Sequence, residues 1–252
     1  LLNPDLHKRF KDTAFIAQHM LAKFKRLFPE FTDHSVFHSL NVLIFCNQLI
    51  GPEQVEKMNE YDIYVLLISC YLHDIGMSIT ERDYEEFKTS LDSKSYFTQY
   101  PKSTEADFIR EYHHEFSGLL VRKYAELLEI PSPELTFAIV QTCRGHRRTD
   151  LFDLEEYPAE LEISDGKKVH IPYLAALVRL ADEIDVVADR NPKLMYDIEL
   201  LTDRYQIACH RLLNAVPEMQ ILPEGFLLTV TTDDEMLFLA VEALTQKMQA
   251  TL

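Results

Sequence analysis

His73 and Asp74 stand side by side at the end of the apolar run Val65-Leu66-Leu67-Ile68-Ser69-Cys70. Two polar side chains at the mouth of a buried helix cost desolvation free energy unless a partner compensates for it. A divalent cation is such a partner, because neutral imidazole and carboxylate both ligate first-row metals. The adjacent pair alone is weak, but further groups of the same kind follow at intervals: His38 before it, then His113-His114, His146 and Asp182. The intervals are about 30–40 residues, a helix plus a connection. One ligand per helix, converging on a bundle interior, is a common way for helical proteins to build a metal site.

The elements that must position these residues are mostly helical. Asp5 to Phe28 has an amphipathic period stopped by Pro29, and Thr32 or Asp33 is a possible cap for the next helix, which carries His38 and ends at Gly51-Pro52. Asn59 to Ile75 is apolar on its later turns and so reads as a central helix. Residues 80–101 read as a partly helical insertion. Ser103 can cap a long helix to Glu129, and Pro133 opens one that delivers Cys143 to His146. Residues 149–169 read as a loop or short hairpin with a turn at Ser164-Asp165-Gly166-Lys167, and Ile171 to Ala188 as a helix presenting Asp182. Past Asn191-Pro192, a helix from Tyr196 to Asn214, a β-hairpin around Pro223-Glu224-Gly225 and a last helix complete the chain. The expected fold is mainly all-α, with residues 1–190 a metal-binding helical domain and residues 191–252 an extension packed on it.

Composition narrows the function. With 25 Lys and Arg against 41 Asp and Glu, the net charge is -16, which disfavours nonspecific adhesion to nucleic acid or to an anionic membrane. Six glycines, with no GxGxxG or GxxxxGK[ST] string, give no support for phosphate-cradling glycine loops. No apolar run approaches a bilayer span, and the N-terminus does not read as a signal peptide. Cys46, Cys70, Cys143 and Cys209 are widely spaced, without CxxC, and read as free thiols of a cytoplasmic protein. The chain starts at Leu1 without a Met and reads as either a processed form or an excised piece of something longer.

The series His38, His73-Asp74 and Asp182 resembles the signature of the HD-domain superfamily of metal-dependent phosphohydrolases. The local strings are similar too: His38-Ser39 with Val42, Leu72-His73-Asp74-Ile75-Gly76, and Arg179-Leu180-Ala181-Asp182 with Asp185. The resemblance covers roughly Phe31 to Arg190. It implies an HD-type helical bundle in which His38, His73, Asp74 and Asp182 bind one divalent cation. His114 and His146 match two further histidines that hold a second cation in binuclear members, with Asp74 bridging. The string Thr32-Asp33-His34 with His38-Ser39 is similar to an HD subgroup found beside GHKL-type ATPase modules, which implies a C-terminal ATPase-type domain as a partner.

The expected activity is therefore hydrolysis of a phosphomonoester or phosphodiester, in a small, nucleotide-like anionic substrate, by water activated at one or two cations (Fe, Mn, Zn, Ni or Mg). Arg110, Arg144, Arg147 and Arg179 flank the ligands and suit a phosphate. His113 or His34 could protonate the leaving group. Neighbours on a helix differ by ~100° in direction, so only one of His113 and His114 aims inward well. The following Glu115-Phe116-Ser117 favours His114 as that member. Asp185 and Glu183 read as surface groups or as neighbours of the ligands. Two other readings stay open: a regulatory or ligand-sensing module with little turnover, and a single-strand nuclease, which the charge disfavours. A homo-oligomer is compatible with either enzyme or sensor.

Overall fold

The computed structural model describes residues 2–164, 166–186 and 200–251. Ten α-helices are present among the described residues: α1 (Pro4–Leu21), α2 (Val36–Val55), α3 (Glu60–Leu72), α4 (Glu81–Phe87), α5 (Ser93–Gln99), α6 (Glu105–Lys123), α7 (Pro133–Arg144), α8 (Ile171–Ile184), α9 (Arg204–Asn214) and α10 (Glu235–Thr251). Two short antiparallel strand pairs accompany them, β1 (Leu161–Glu162) with β2 (Lys168–Val169), and β3 (Glu218–Leu222) with β4 (Gly225–Thr229). The fold is a mainly helical bundle with a small hairpin near its C-terminal end.

α3 is the hub. It is started by a capping box, in which Asn59 accepts from the Tyr61 and Asp62 amides while Asp62 accepts from the Asn59 amide. The same Asp62 carboxylate accepts from the His170 amide at 3.0 Å, tying the start of α3 to the start of α8. Tyr64, Val65, Ile68, Cys70 and Leu72 are buried, so α3 packs on nearly every side, against α1, α2, α7 and α8. Burial of such side chains contributes on the order of 1.5–3 kcal/mol each. A helix held from all sides fixes whatever projects from its end, and that end carries His73 and Asp74.

Several expected boundaries move. Ser35, not Thr32 or Asp33, caps α2, and Asp33 instead braces Ser35 through its amide (3.2 Å) and hydroxyl (2.8 Å). Thr104 rather than Ser103 caps α6, in a box with Asp107. α1 stops at Leu21 and gives way to a 3-10 turn at Phe24–Arg26, and α3 stops at Leu72 and gives way to another at Ile75–Ser78. α6 ends at Lys123, six residues short of Glu129. The insertion at 80–101 is helical, as α4 and α5. The expected helix start at Tyr196, helix end at Ala188 and division at residues 190–191 lie outside the described residues. No single described helix is long and apolar enough to cross a membrane.

Candidate metal centre

The residues that gather around Asp74 come from helix ends and one helix break. His38 sits in the first turn of α2, His73 is the C-terminal cap of α3, and Asp74 follows it with φ -104° and ψ 5°. His146 lies just past the end of α7, and Asp182 in the last turn of α8. His113 lies within α6, one residue after Tyr112, where the helical dihedrals are interrupted (φ -108°, ψ 15°).

Asp74 divides the histidines into two pairs. Its Oδ2 faces His38 Nε2 at 3.4 Å and His73 Nε2 at 3.5 Å. Its Oδ1 faces His113 Nε2 at 3.3 Å and His146 Nε2 at 3.6 Å. Within the pairs, His38 Nε2 and His73 Nε2 are 3.2 Å apart, and His113 Nε2 and His146 Nε2 are 3.0 Å apart. Asp182 Oδ1 joins the first pair, 3.2 Å from His38 Nε2. Asp74 and all four histidines are buried.

The other ring nitrogens explain why the Nε2 atoms converge. His73 Nδ1 donates to the Cys70 carbonyl (3.0 Å), His113 Nδ1 to the Arg110 carbonyl (2.6 Å), and His146 Nδ1 to the Cys143 carbonyl. In each case the acceptor lies three residues back, and a carbonyl can only accept. His38 Nδ1 donates instead to Asp185 Oδ2 at 2.6 Å, and Asn41 Nδ2 steadies the other oxygen of Asp185 at 3.2 Å. With Nδ1 protonated, a neutral ring carries its lone pair on Nε2. Two pairs of lone pairs about 3 Å apart repel unless a cation lies between them.

The donor set fits a divalent metal on that ground and on spacing. Bonds of about 2.1 Å at right to tetrahedral angles place ligand atoms roughly 3.0–3.4 Å apart, close to the separations seen here. Two triads, His38/His73/Asp74 and Asp74/His113/His146, each bring their donor atoms within 4.8 Å of one another. Electrostatics agree. Burial opposes charge on Asp74, but the neighbouring His73, His113 and His38 outweigh it and hold the carboxyl well below the usual carboxylate range. Burial opposes charge on Asp182 too, and His38 beside it reverses the outcome in the same direction. Burial, with His73 and His113 beside it, pushes His146 far below the usual imidazole range, which keeps its lone pair available.

Beside the triads lies a cavity of about 200 Å³, reached by Asp74, His113 and Asp182 and walled by His34, Arg110, Arg147 and Lys247. Of the residues expected at the site, the structure gathers His38, His73, Asp74, His146, Asp182, His34, Arg110 and Arg147. It overturns four expectations. His113, not His114, faces Asp74, because the interruption at Tyr112 resets the direction of the residues that follow. His114 joins neither triad, its Nε2 lying 3.7 Å from Glu115, and burial, then repulsion from His113 and Arg147, drops its pKa to about 3. His113 is thereby removed as a proton donor, since both ring nitrogens are engaged. Arg144 is held in a two-pronged pair with Glu115 (2.7 and 2.9 Å) and by Glu156, with its stem on Gly118. Arg179 ties the Gly145 and Thr149 carbonyls together, each at 2.8 Å. Neither arginine lines the cavity.

Three residues that position the centre were quoted from the sequence without the roles that the structure gives them. Asp185, with no exposed surface, orients His38. Its separation of three from Asp182 on one helix was the available signal. Ser117 donates its hydroxyl to the His73 carbonyl (2.6 Å) and accepts from the Gly76 amide (2.9 Å). Gly76 lets the chain after Asp74 lie directly on α6, since a Cβ there would fall 2.1 Å from the His113 carbonyl oxygen.

The sequence model of the HD-CE family matches residues 28–245. The chain belongs to the HD-CE family. Searches of the curated proteins and of the solved structures found no match. In the HD-CE chain the His73-Asp74 pair and its partners form the buried cluster described above.

Proposed function

We propose that this HD-CE domain is a metal-dependent phosphohydrolase acting on a phosphomonoester or phosphodiester. The observation that carries the reading is the Asp74 carboxylate, which offers one oxygen to each of two histidine pairs beside a cavity walled by cations. Two cations would be held by His38, His73 and Asp182 on one side, by His113 and His146 on the other, and by Asp74 between them. Bound there, they supply Lewis acidity, which acidifies water and neutralises charge on a phosphoryl group.

The chain's own residues do the rest. Arg110 and Arg147 hold the phosphate oxygens through charge-assisted hydrogen bonds. Arg110 is itself fixed between aromatic faces, its guanidinium carbon 5.0 Å from the centre of the Phe31 ring and 5.2 Å from that of Tyr205. His34 donates Nδ1 to the Thr32 carbonyl at 2.9 Å, so a neutral ring carries its lone pair on Nε2, and only the doubly protonated ring would deliver a proton from there to the leaving oxygen.

The test is turnover of p-nitrophenyl phosphate and bis-p-nitrophenyl phosphate after loading with Mn²⁺, alongside metal content by elemental analysis. Hydrolysis of either ester by wild type and its loss in His73→Ala is the expected result. Metal-loaded protein that cleaves neither ester overturns the hydrolase reading and turns the site into a sensing one.

A further inference from the structure

The cavity at Asp74 is too small to seat a whole nucleotide. Its volume of about 200 Å³ lies below the ~300–1,000 Å³ usual for small-molecule sites. Next to it is a cleft of about 870 Å³, and Arg110, Arg147 and Lys247 line both. These three side chains form a common wall, so a ligand whose reacting phosphate lies at Asp74 extends past them into the outer cleft.

The outer cleft is cationic in a chain of net charge -16. Lys102 and Arg148 join the three shared cations, against the carboxylates of Asp107 and Glu111. Both carboxylates are already engaged: Asp107 accepts the amide and hydroxyl of Thr104, each at 2.8 Å, and Glu111 pairs with Arg148 at 2.5 Å. Lys247 is paired with Glu183 at 2.7 Å. That leaves Lys102, Arg110 and Arg147 with no carboxylate partner among the described residues. Arg110 and Arg147 reach the inner cavity, whereas Lys102 lines only the outer one. Tyr100 and Tyr205 in the same cleft are 48% and 56% exposed, with Tyr96 beside the first ring and Arg110 over the second. Exposed tyrosine faces with cations beside them suit a base with phosphate attached, and such stacking is tolerant of base identity.

We infer that the outer cleft seats a second phosphate group, so that the preferred ligand is a nucleotide carrying phosphates at two separated positions. The inference rests on the hydrolase reading of the inner site for which phosphate reacts. In it, Arg110 and Arg147 take the reacting phosphate, Lys102 takes the second one, and Tyr100 or Tyr205 takes the base.

The test compares binding of adenosine 3′,5′-bisphosphate and adenosine 5′-monophosphate to the Mn²⁺-loaded protein by calorimetry. Wild type is expected to prefer the bisphosphate by about tenfold, from one extra charge-assisted contact. Lys102→Glu is expected to abolish that preference, while Arg122→Glu, an equal charge change on an exposed residue of α6, preserves it. Equal binding of the two nucleotides by wild type overturns the inference, and so does an equal loss in Lys102→Glu and Arg122→Glu. The outcome is separable from the hydrolase question, since binding is read at equilibrium. Cleavage of p-nitrophenyl esters without a bisphosphate preference removes only this inference, and the preference without cleavage removes only the hydrolase.

Discussion

The two halves of the centre share Asp74 and differ in the charge gathered behind it. On the first side, His38 and His73 meet two carboxylates, Asp74 and Asp182, and His38 is backed by a third, Asp185. On the second, His113 and His146 have Asp74 alone, their Nδ1 atoms end on backbone carbonyls, and the walls beyond are Arg110 and Arg147. A carboxylate behind a ligating imidazole raises its basicity and fixes its orientation, and a backbone carbonyl does so more weakly. On the proposed reading, the first half would hold a cation tightly and the second would hold one loosely beside an incoming anion. Unequal halves of this kind separate the task of keeping a metal from the task of presenting it.

That contrast can be broken most severely at its shared element. Asp74→Asn is expected to empty both halves and to lower ester hydrolysis at least ~100-fold, read by elemental analysis and turnover on the same preparation. Retention of one full metal equivalent would show that the halves do not depend on a common carboxylate. Next in size, Gly76→Ala places a Cβ 2.1 Å from the His113 carbonyl and must push α6 away from the Asp74 turn. It is expected to cost ~1–3 kcal/mol of stability and to empty the His113/His146 side before the other, checked by urea midpoint and metal titration.

Asp185→Asn tests the inequality directly. It keeps the shape beside His38 but removes the charge, and is expected to weaken the tighter metal by about 10–100-fold while leaving the weaker one unchanged. A titration in which both affinities fall together would dissolve the distinction between the halves.

The smallest effects concern His114 and pH. Burial holds His146 far below the usual ~6.5 and His114 at about 3. The unfolded chain takes up these protons as pH falls through ~6.5, while the folded chain does not. Stability is thus complete above ~6.5 and declines on acidification, by at most about 1.4 kcal/mol per pH unit for each histidine. Asp74 and Asp182, shifted down, add a second loss below ~4. Urea midpoints between about pH 7.5 and 4.5 should trace this slope in metal-free protein. His114→Leu should flatten it by about half and leave metal content unchanged. A change in metal content would return His114 to the centre.

What the sequence disclosed and withheld follows from the range of the interactions. The HD pair, His38, His146 and Asp182 were legible because each is announced by its own helix end, and the order of helices follows from period and breakers. The choice between His113 and His114 was not legible, because it turns on one residue, Tyr112, leaving helical dihedrals within an otherwise regular α6. Nor was the diversion of Arg144, since its partner Glu115 lies 29 residues away on another helix. Residue type told which side chains could meet a phosphate. Only packing told which were already spoken for.

The three imidazoles that donate to the carbonyl three residues behind them have a further consequence. Each ring is locked by its own turn of chain and needs no ion to find its pose. Folding and metal uptake are thereby uncoupled: chelators should strip this protein without unfolding it, in contrast to domains whose ligands are ordered only by their metal. On the proposed reading, a cage that stands open and rigid would accept the ion that the surroundings offer, so metal supply, more than the protein, would choose the occupant.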